Sequence, residues 1–355
     1  MRRIIIMLCL CFFCLVGCKK EKVQTEETEE AAQTEISIED SDGGCGGTPV
    51  DYHNEICVIE DCLYYCDPDR NAALYAYNMK TKEEVCVTEQ SGKLLKTQRG
   101  YFYLSGDFVY QVDGLEVTLF CELPEGGEFI GFSQNKIVWA KREHYTEILR
   151  DGTPFERFAR QSIWWQEMEE EQAVFQISTE ASEQLFYISP EQGQVNGVGV
   201  ATEGIYFDLC KEASSICGLH YLTYETRKVE FVLASELIMT MHFENDLALV
   251  YGSDTTGYDC WFLIDTKTQE VQKLRNSEGS DYALFHEGKV YYGGKAVWCY
   301  TPENDTYEVL SADRYSDLDY SEAALYKNYL IMRHGYEYSF YVLDMETREI
   351  KPVSD

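Results

Sequence analysis

One hairpin pattern returns along the chain from residue 51 onward, and nothing else in the sequence restricts the fold as much. Its clearest copies begin at Leu74, His220, Trp261, Trp298 and Phe340. The usual core is an aromatic or aliphatic strand, an Asp or Asn such as Asn78, Asp265 or Asp344, two residues, a Thr, a charged pair and an aliphatic residue. Asp and Asn bond their own backbone at turns, which explains their place between two short strands. Ahead of each copy lies another pair of strands, as in Tyr282–Phe285 followed by Lys289–Gly293. Four strands thus fill a unit of roughly 38 residues, the size and strand count of a propeller blade. Unit starts fall near residues 54, 94, 128, 166, 198, 237, 281 and 318. The expected fold is therefore all-β, an eight-bladed β-propeller, or a seven-bladed one if two weak units are miscounted. A β-sandwich rarely needs a four-strand repeat, and a solenoid usually has a shorter period. The 27 Tyr, 17 Phe and 5 Trp suit half-buried strand surfaces. Helical turns are expected only near Glu167–Glu171 and Ser321–Ala324.

The first residues carry a different signal. Arg2 and Arg3 precede an unbroken apolar run from Ile4 to Val16. That run is short for a bilayer core of roughly 30 Å but fits a signal-peptide core. Leu15-Val16-Gly17-Cys18 follows, and it resembles the lipobox of bacterial lipoproteins. The resemblance implies cleavage between Gly17 and Cys18, with a diacylglyceryl group on the Cys18 thiol. Two acyl chains at about 0.8 kcal/mol per buried methylene would anchor the chain lastingly. The expected location is the extracytoplasmic side of a bacterial cell membrane.

Residues 18–50 read as a tether and residues 51–355 as the propeller domain. Val23–Asp42 holds eight acidic residues, no basic one and no aromatic, so it cannot bury enough surface to order itself. Residues 51–355 hold 53 acidic and 25 basic side chains, net −28. A body so acidic is unsuited to nucleic acid, whose phosphates call for a basic surface. A basic protein or peptide, or a cation, remains electrostatically compatible.

In its hairpins, the body resembles exported bacterial propellers related to the YWTD-type propellers of lipoprotein receptors. The YWTD motif itself is absent, the nearest strand reading Val290-Tyr291-Tyr292-Gly293-Gly294. That family's binding residues therefore have no counterpart positions here.

Ten cysteines lie beyond the anchor. Cys210 and Cys217 flank the longest loop placed between two strands of one unit, and a disulfide there would staple it. Cys57, Cys62, Cys66 and Cys86 crowd the first unit, where one or two links could reinforce ring closure. Cys121, Cys260 and Cys299 fit small buried apolar residues. None of these cysteines forms the tight pairs that structural zinc favours.

No nucleophile, metal or phosphate motif appears, and no cofactor is called for. Acidic pairs such as Asp317 and Asp319 read as solvated loop residues among so many carboxylates. The middle loops of the units should share one face of the ring. They hold Asp69, Arg70, Arg142, His144, Asp254, Tyr258, Arg333, His334 and Tyr336, basic and aromatic groups gathered on an acidic body. Such a set would make a recognition rim for a protein, peptide or glycan. The leading expectation is a monomeric, membrane-tethered recognition or scaffolding module without catalysis. The alternative is a surface carbohydrate-active enzyme, a glycosidase or lyase with clustered carboxylates at the ring axis. A sensor partner for an envelope receptor or assembly machine is a third.

Overall fold

The computed structural model describes residues 56–97, 99–148, 153–168, 174–190, 192–210, 217–235, 237–254, 256–280, 282–293, 296–312, 320–334 and 339–353. Gly17, Cys18, the tether and Tyr336 lie outside these residues, as do Asp317 and Asp319.

Four antiparallel strands open the ring: β1 (Cys57–Ile59), β2 (Cys62–Asp67), β3 (Ala73–Asn78) and β4 (Glu84–Thr88). The next sheet takes β5 (Lys93–Thr97), β6 (Gly100–Ser105), β7 (Phe108–Asp113) and β8 (Glu116–Glu122). Then come β9 (Gly127–Ser133), β10 (Lys136–Ile148), β11 (Pro154–Glu167), β12 (Phe175–Gln176) and β13 (Glu183–Tyr187). β14 (Gln194–Val200), β15 (Gly204–Cys210), β16 (Cys217–Thr223) and β17 (Val229–Ala234) follow. Three further four-stranded sheets complete the chain. The first holds β18 (Leu237–Glu244), β19 (Leu247–Ser253), β20 (Asp259–Asp265) and β21 (Val271–Lys273). The second holds β22 (Tyr282–His286), β23 (Lys289–Gly293), β24 (Ala296–Thr301) and β25 (Thr306–Ala312). The last holds β26 (Tyr320–Tyr326), β27 (Tyr329–His334), β28 (Phe340–Asp344) and β29 (Ile350–Pro352).

The fold is an all-β propeller, as the repeat predicted. The expectation of eight, or alternatively seven, separate four-stranded blades is corrected. The described strands make five small sheets, four of four strands and one of five, and a single eight-stranded sheet. The sequence cut a new unit near residue 166, inside what is in fact the 14-residue β11. β9, β10, β11 and β13 then join β14–β17 through one bridge, Arg160 to Val195. β12 leaves its own group and pairs in parallel with β8, giving the neighbouring sheet its fifth strand. The turn expected at Ser321–Ala324 is strand β26.

The repeated Asp or Asn works as its chemistry predicted. Asn78 Oδ1 accepts the N–H groups of Lys80 and Thr81, both at 2.9 Å. Asp265 Oδ1 accepts those of Lys267 and Thr268, also at 2.9 Å, and Asp344 repeats the pattern with Glu346 and Thr347. Four residues on, the backbone turns left-handed each time, at Lys82 (φ 64), Gln269 (φ 60) and Arg348 (φ 61). Lys82 N–H closes the turn onto the Asn78 carbonyl at 2.9 Å.

Apolar clusters fill the spaces between successive groups of strands, and the same contact closes the ring. Ile56, Leu63 and Tyr65 of the first sheet pack against Ala324, Tyr326 and Ile331 of the last. Tyr326 OH donates to Asp61 Oδ1 at 2.5 Å across the same seam. Closure thus rests on packing, while Cys62, Cys66 and Cys86 are free thiols. Cys121 and Cys260 are fully buried and Cys299 nearly so.

Candidate functional site at the axial cavity

Residues of β1, β5, β9, β14, β18, β22 and β26, the first strand of each group, line one cavity of about 720 Å³. It therefore lies on the ring axis. Its wall is mixed, with Leu95, Ile130 and Phe285 among the apolar residues and Lys96, Thr240 and His242 among the polar ones. The described lining carboxylates are Glu244 and Glu322. Glu244 ends β18, whereas Glu322 is the third residue of β26, so the two sit at different levels of the ring. Glu322 accepts from Arg333 Nη1 at 3.2 Å. Among the described residues no three His, Cys, Asp or Glu side chains come together as a metal site.

A cluster of charges lies where β5 and β9 begin. Lys93 and Glu128 precede by two residues the cavity-lining Leu95 and Ile130. Arg160 grips Glu128 with two hydrogen bonds, Nε to Oε2 at 2.6 Å and Nη2 to Oε1 at 2.7 Å. Arg142 Nε reaches Oε2 at 3.1 Å, and Lys93 Nζ lies 3.6 Å from Oε1. Burial alone would raise the Glu128 carboxyl. Arg160, Lys93 and Arg142 outweigh it and hold that group well below the usual carboxylate range.

Local backbone features put these groups together. A β-bulge between Lys141 and Arg142 shifts the β10–β11 register so that Arg142 faces Arg160 directly. Two like charges opposite one another are unfavourable, and the carboxylate between them offsets that cost. Arg142 N–H also donates to the Gly126 carbonyl at 2.8 Å. Gly126 has φ +73, and a Cβ there would stand 2.8 Å from the Arg142 carbonyl oxygen. Only glycine lets the turn into β9 approach so closely.

The expected rim fares unevenly. Arg142 belongs to the cluster around Glu128, and exposed His144 lies two residues further along β10. Arg333 and His334 are corrected from loop to strand: both belong to β27 and are buried, at 2% and 5% exposure. His334 N–H bonds the Ser339 carbonyl, which extends the β27–β28 pair past the point where a loop was expected. Arg333 packs its guanidinium over the Tyr65 and Phe340 rings, 5.7 Å from each centroid. Arg70 is held within the first sheet by Asp67 and Glu84 and lies over the Tyr75 ring. Asp69 follows in the same turn, its N–H bonded to Asp67. Asp254 organises its own loop, accepting from Lys273, Thr256 and Tyr258, and leaves Tyr258 63% exposed. Cys210 and Cys217 are direct partners across β15 and β16. Opposed strand positions lie within the span a disulfide bridges.

Sequence reasoning missed Lys93, Glu128, Arg160 and Glu322. A usable signal existed for Glu128, a lone charge entering the apolar stretch Phe129-Ile130-Gly131-Phe132.

No family model and no curated protein matches the chain. Solved structures do. The acylaminoacyl peptidase of Pyrococcus horikoshii aligns at 12% identity and TM-score 0.55, over 85% of this chain and 52% of its own. A puromycin-hydrolyzing peptidase of Mycobacterium tuberculosis aligns at 10% identity and TM-score 0.53, over 84% and 53%. The computationally designed Ika8 protein aligns at 11% and TM-score 0.50, over 84% and 85%. The chain spans about half the length of the two peptidases. At these identities the likeness is one of fold, a propeller ring assembled from small antiparallel sheets.

Proposed function

We propose that the protein is a lipid-anchored, extracytoplasmic binding module whose axial cavity takes the ligand. The Leu15–Cys18 pattern supports the anchor on Cys18, with cleavage after Gly17, and the acidic tether supports a ring held off the membrane. The observation that carries the binding reading is the cavity itself, of about 720 Å³, whose wall mixes apolar side chains with polar ones such as Thr240, His242, Asn245 and Glu322. A concave space of that size can enclose a small ligand, and polar groups within it can fix the ligand's orientation. Glu322 is neutralised by Arg333, and the described lining offers no second carboxylate at its level. A glycosidase needs two acids roughly 5–10 Å apart across the scissile bond. Recognition of a protein, peptide or glycan segment inserted at the axis is the better fit.

The test uses the full chain in a pull-down from envelope extract, beside a glycan array. Thr240 lines the cavity on β18, and Thr240→Trp should fill part of it. Wild type should retain a saturable ligand that a folded Thr240→Trp protein loses. Equal retention by both would refute the axial site. Intact-mass measurement should find the mature chain beginning at a diacylated Cys18, and an unmodified residue 18 would refute the anchor.

A further inference from the structure

We infer that the axial cavity opens on the ring face where the first strand of each group turns into the second, and that it takes a basic peptide segment there. An apolar side chain of the segment lies inside, and its Lys or Arg side chains meet carboxylates around the mouth. The inference rests on the axial cavity being the binding site and adds the face of entry and the chemistry of what enters.

Exposure along the wall gives the direction. The exposed lining residues are Lys96, Thr202 and Asn245. Lys96 is the penultimate residue of β5, Thr202 lies two residues past β14, and Asn245 directly follows β18. All three stand at the turn end of a first strand. At the opposite end, Ile56 precedes β1 and Tyr282 opens β22, and they are 5% and 4% exposed. The wall thus meets solvent at the turns and is shut off toward the strand starts. This face is opposite the one that carries Asp69, Arg70 and Tyr258.

Charge at that mouth is one-sided. Glu244 lines the cavity at the end of β18. Glu60, Glu203 and Glu287 belong to the turns after β1, β14 and β22, and all three are exposed. Among the described residues none of the four pairs with Lys or Arg, Glu287 having only the His286 ring at 3.8 Å. The neighbouring cations are already held. Arg99 donates to the Gln134 carbonyl at 2.8 Å and to Asn135 Oδ1 at 3.3 Å, and Lys327 donates to Tyr326 OH at 2.7 Å beside Asp61. Lys96 has interactions of its own as well. The other acids of these turns, Asp61 and Asp246, are matched by Lys80, Lys327 and Lys267.

A concave site ringed by one sign of charge focuses its field and attracts the opposite charge, here on a body of net −28. The four carboxylates come from four different groups of strands, which suits cations spaced along a peptide better than one small amine. Inside, Leu95, Ile130 and Phe285 offer contacts to an apolar side chain, while Glu322 is already matched by Arg333.

The probe is the peptide KFKWKFK, with EFEWEFE and KSKSKSK as controls, all dansylated and followed by fluorescence anisotropy. The host is the full chain in phosphatidylcholine nanodiscs, whose zwitterionic lipid does not recruit basic peptides. KFKWKFK should bind saturably, and about tenfold more weakly as salt rises from about 0.05 to 0.5 M. EFEWEFE should not bind, and KSKSKSK should bind about tenfold more weakly for want of apolar side chains. Glu203→Gln/Glu244→Gln/Glu287→Gln should cost about tenfold in affinity. Glu89, Asp107 and Glu125 lie in the connections after β4, β6 and β8, on the opposite face. Glu89→Gln/Asp107→Asn/Glu125→Gln therefore makes the same change of charge away from the mouth and should bind as wild type does. Unchanged affinity in the mouth variant, an equal loss in both variants, or equal binding of KSKSKSK would each overturn the inference. So would a failure of KFKWKFK to bind; if Thr240→Trp still abolishes capture of the envelope ligand, the axial site then stands without the basic peptide.

Discussion

Asp208 offers the sharpest test of how this ring is held together. It is fully buried on β15, and its Oδ2 accepts from Asn196 Nδ2 at 3.0 Å and from the Ile238 N–H of the next sheet at 3.3 Å. The Asn196 Oδ1 is a buried acceptor with no hydrogen-bond donor among the described residues. Burial pushes this carboxyl up to about 7 from its ordinary 3.8, against the opposing hydrogen bonds of Asn196 and the Ile238 and Gly218 N–H groups. The folded state therefore binds the proton more tightly than the unfolded chain. The stabilisation is complete below the unfolded value near 3.8 and is lost as pH rises through about 7. Some three pH units of difference correspond to on the order of 4 kcal/mol between the two ends of the window. Asp208→Asn keeps the shape, supplies a permanent N–H donor and removes the titration. The variant should match wild type near pH 4 and exceed it increasingly up to pH 8. Spread over a ring of roughly 300 residues, 4 kcal/mol amounts to a Tm difference of about 6 °C. Differential scanning calorimetry of both proteins from pH 4 to 8 cancels the other acids, which the two share. A Tm difference that stays flat across that range would refute a neutral buried Asp208.

Other outcomes follow from the same contacts. Arg160→Met leaves Glu128 buried with weaker compensation and should cost about 3–5 kcal/mol in urea unfolding; a loss under 1 kcal/mol would mean water reaches the carboxylate. Leu63→Ala at the closing seam should cost about 2–5 kcal/mol, and a silent substitution would show that the first and last sheets are not packed as described. Lys82→Gly, at φ 64 on an exposed turn, should gain up to about 1 kcal/mol by relieving a left-handed non-glycine backbone. Peptide mapping without reductant should recover Cys210 linked to Cys217, and two alkylated thiols there would dismiss the proposed staple.

The propeller was legible because its information is local. Asn78, Asp265 and Asp344 carry the turn in their own side chains, and the alternating aromatics mark strands with two different faces. The grouping of strands was less legible, since β10 and β11 run for 13 and 14 residues without a turn signal to mark the ring surface. Arg333 and His334 were misplaced for a related reason. Polar residues at a strand end look like loop until a partner such as Glu322, or the faces of Tyr65 and Phe340, is brought alongside.

By itself, the sequence determined a repeating four-stranded unit, the turn chemistry that closes each hairpin and an acidic body, all properties of residues near one another along the chain. Only the tertiary structure decided that Lys93, Glu128, Arg142 and Arg160 meet in one cluster, that Asp208 is cut off from water, and that the first strands enclose a cavity. Those facts depend on burial and on contacts between distant segments. A carboxylate among 62 shows its role only when the fold has chosen its neighbours and its access to solvent.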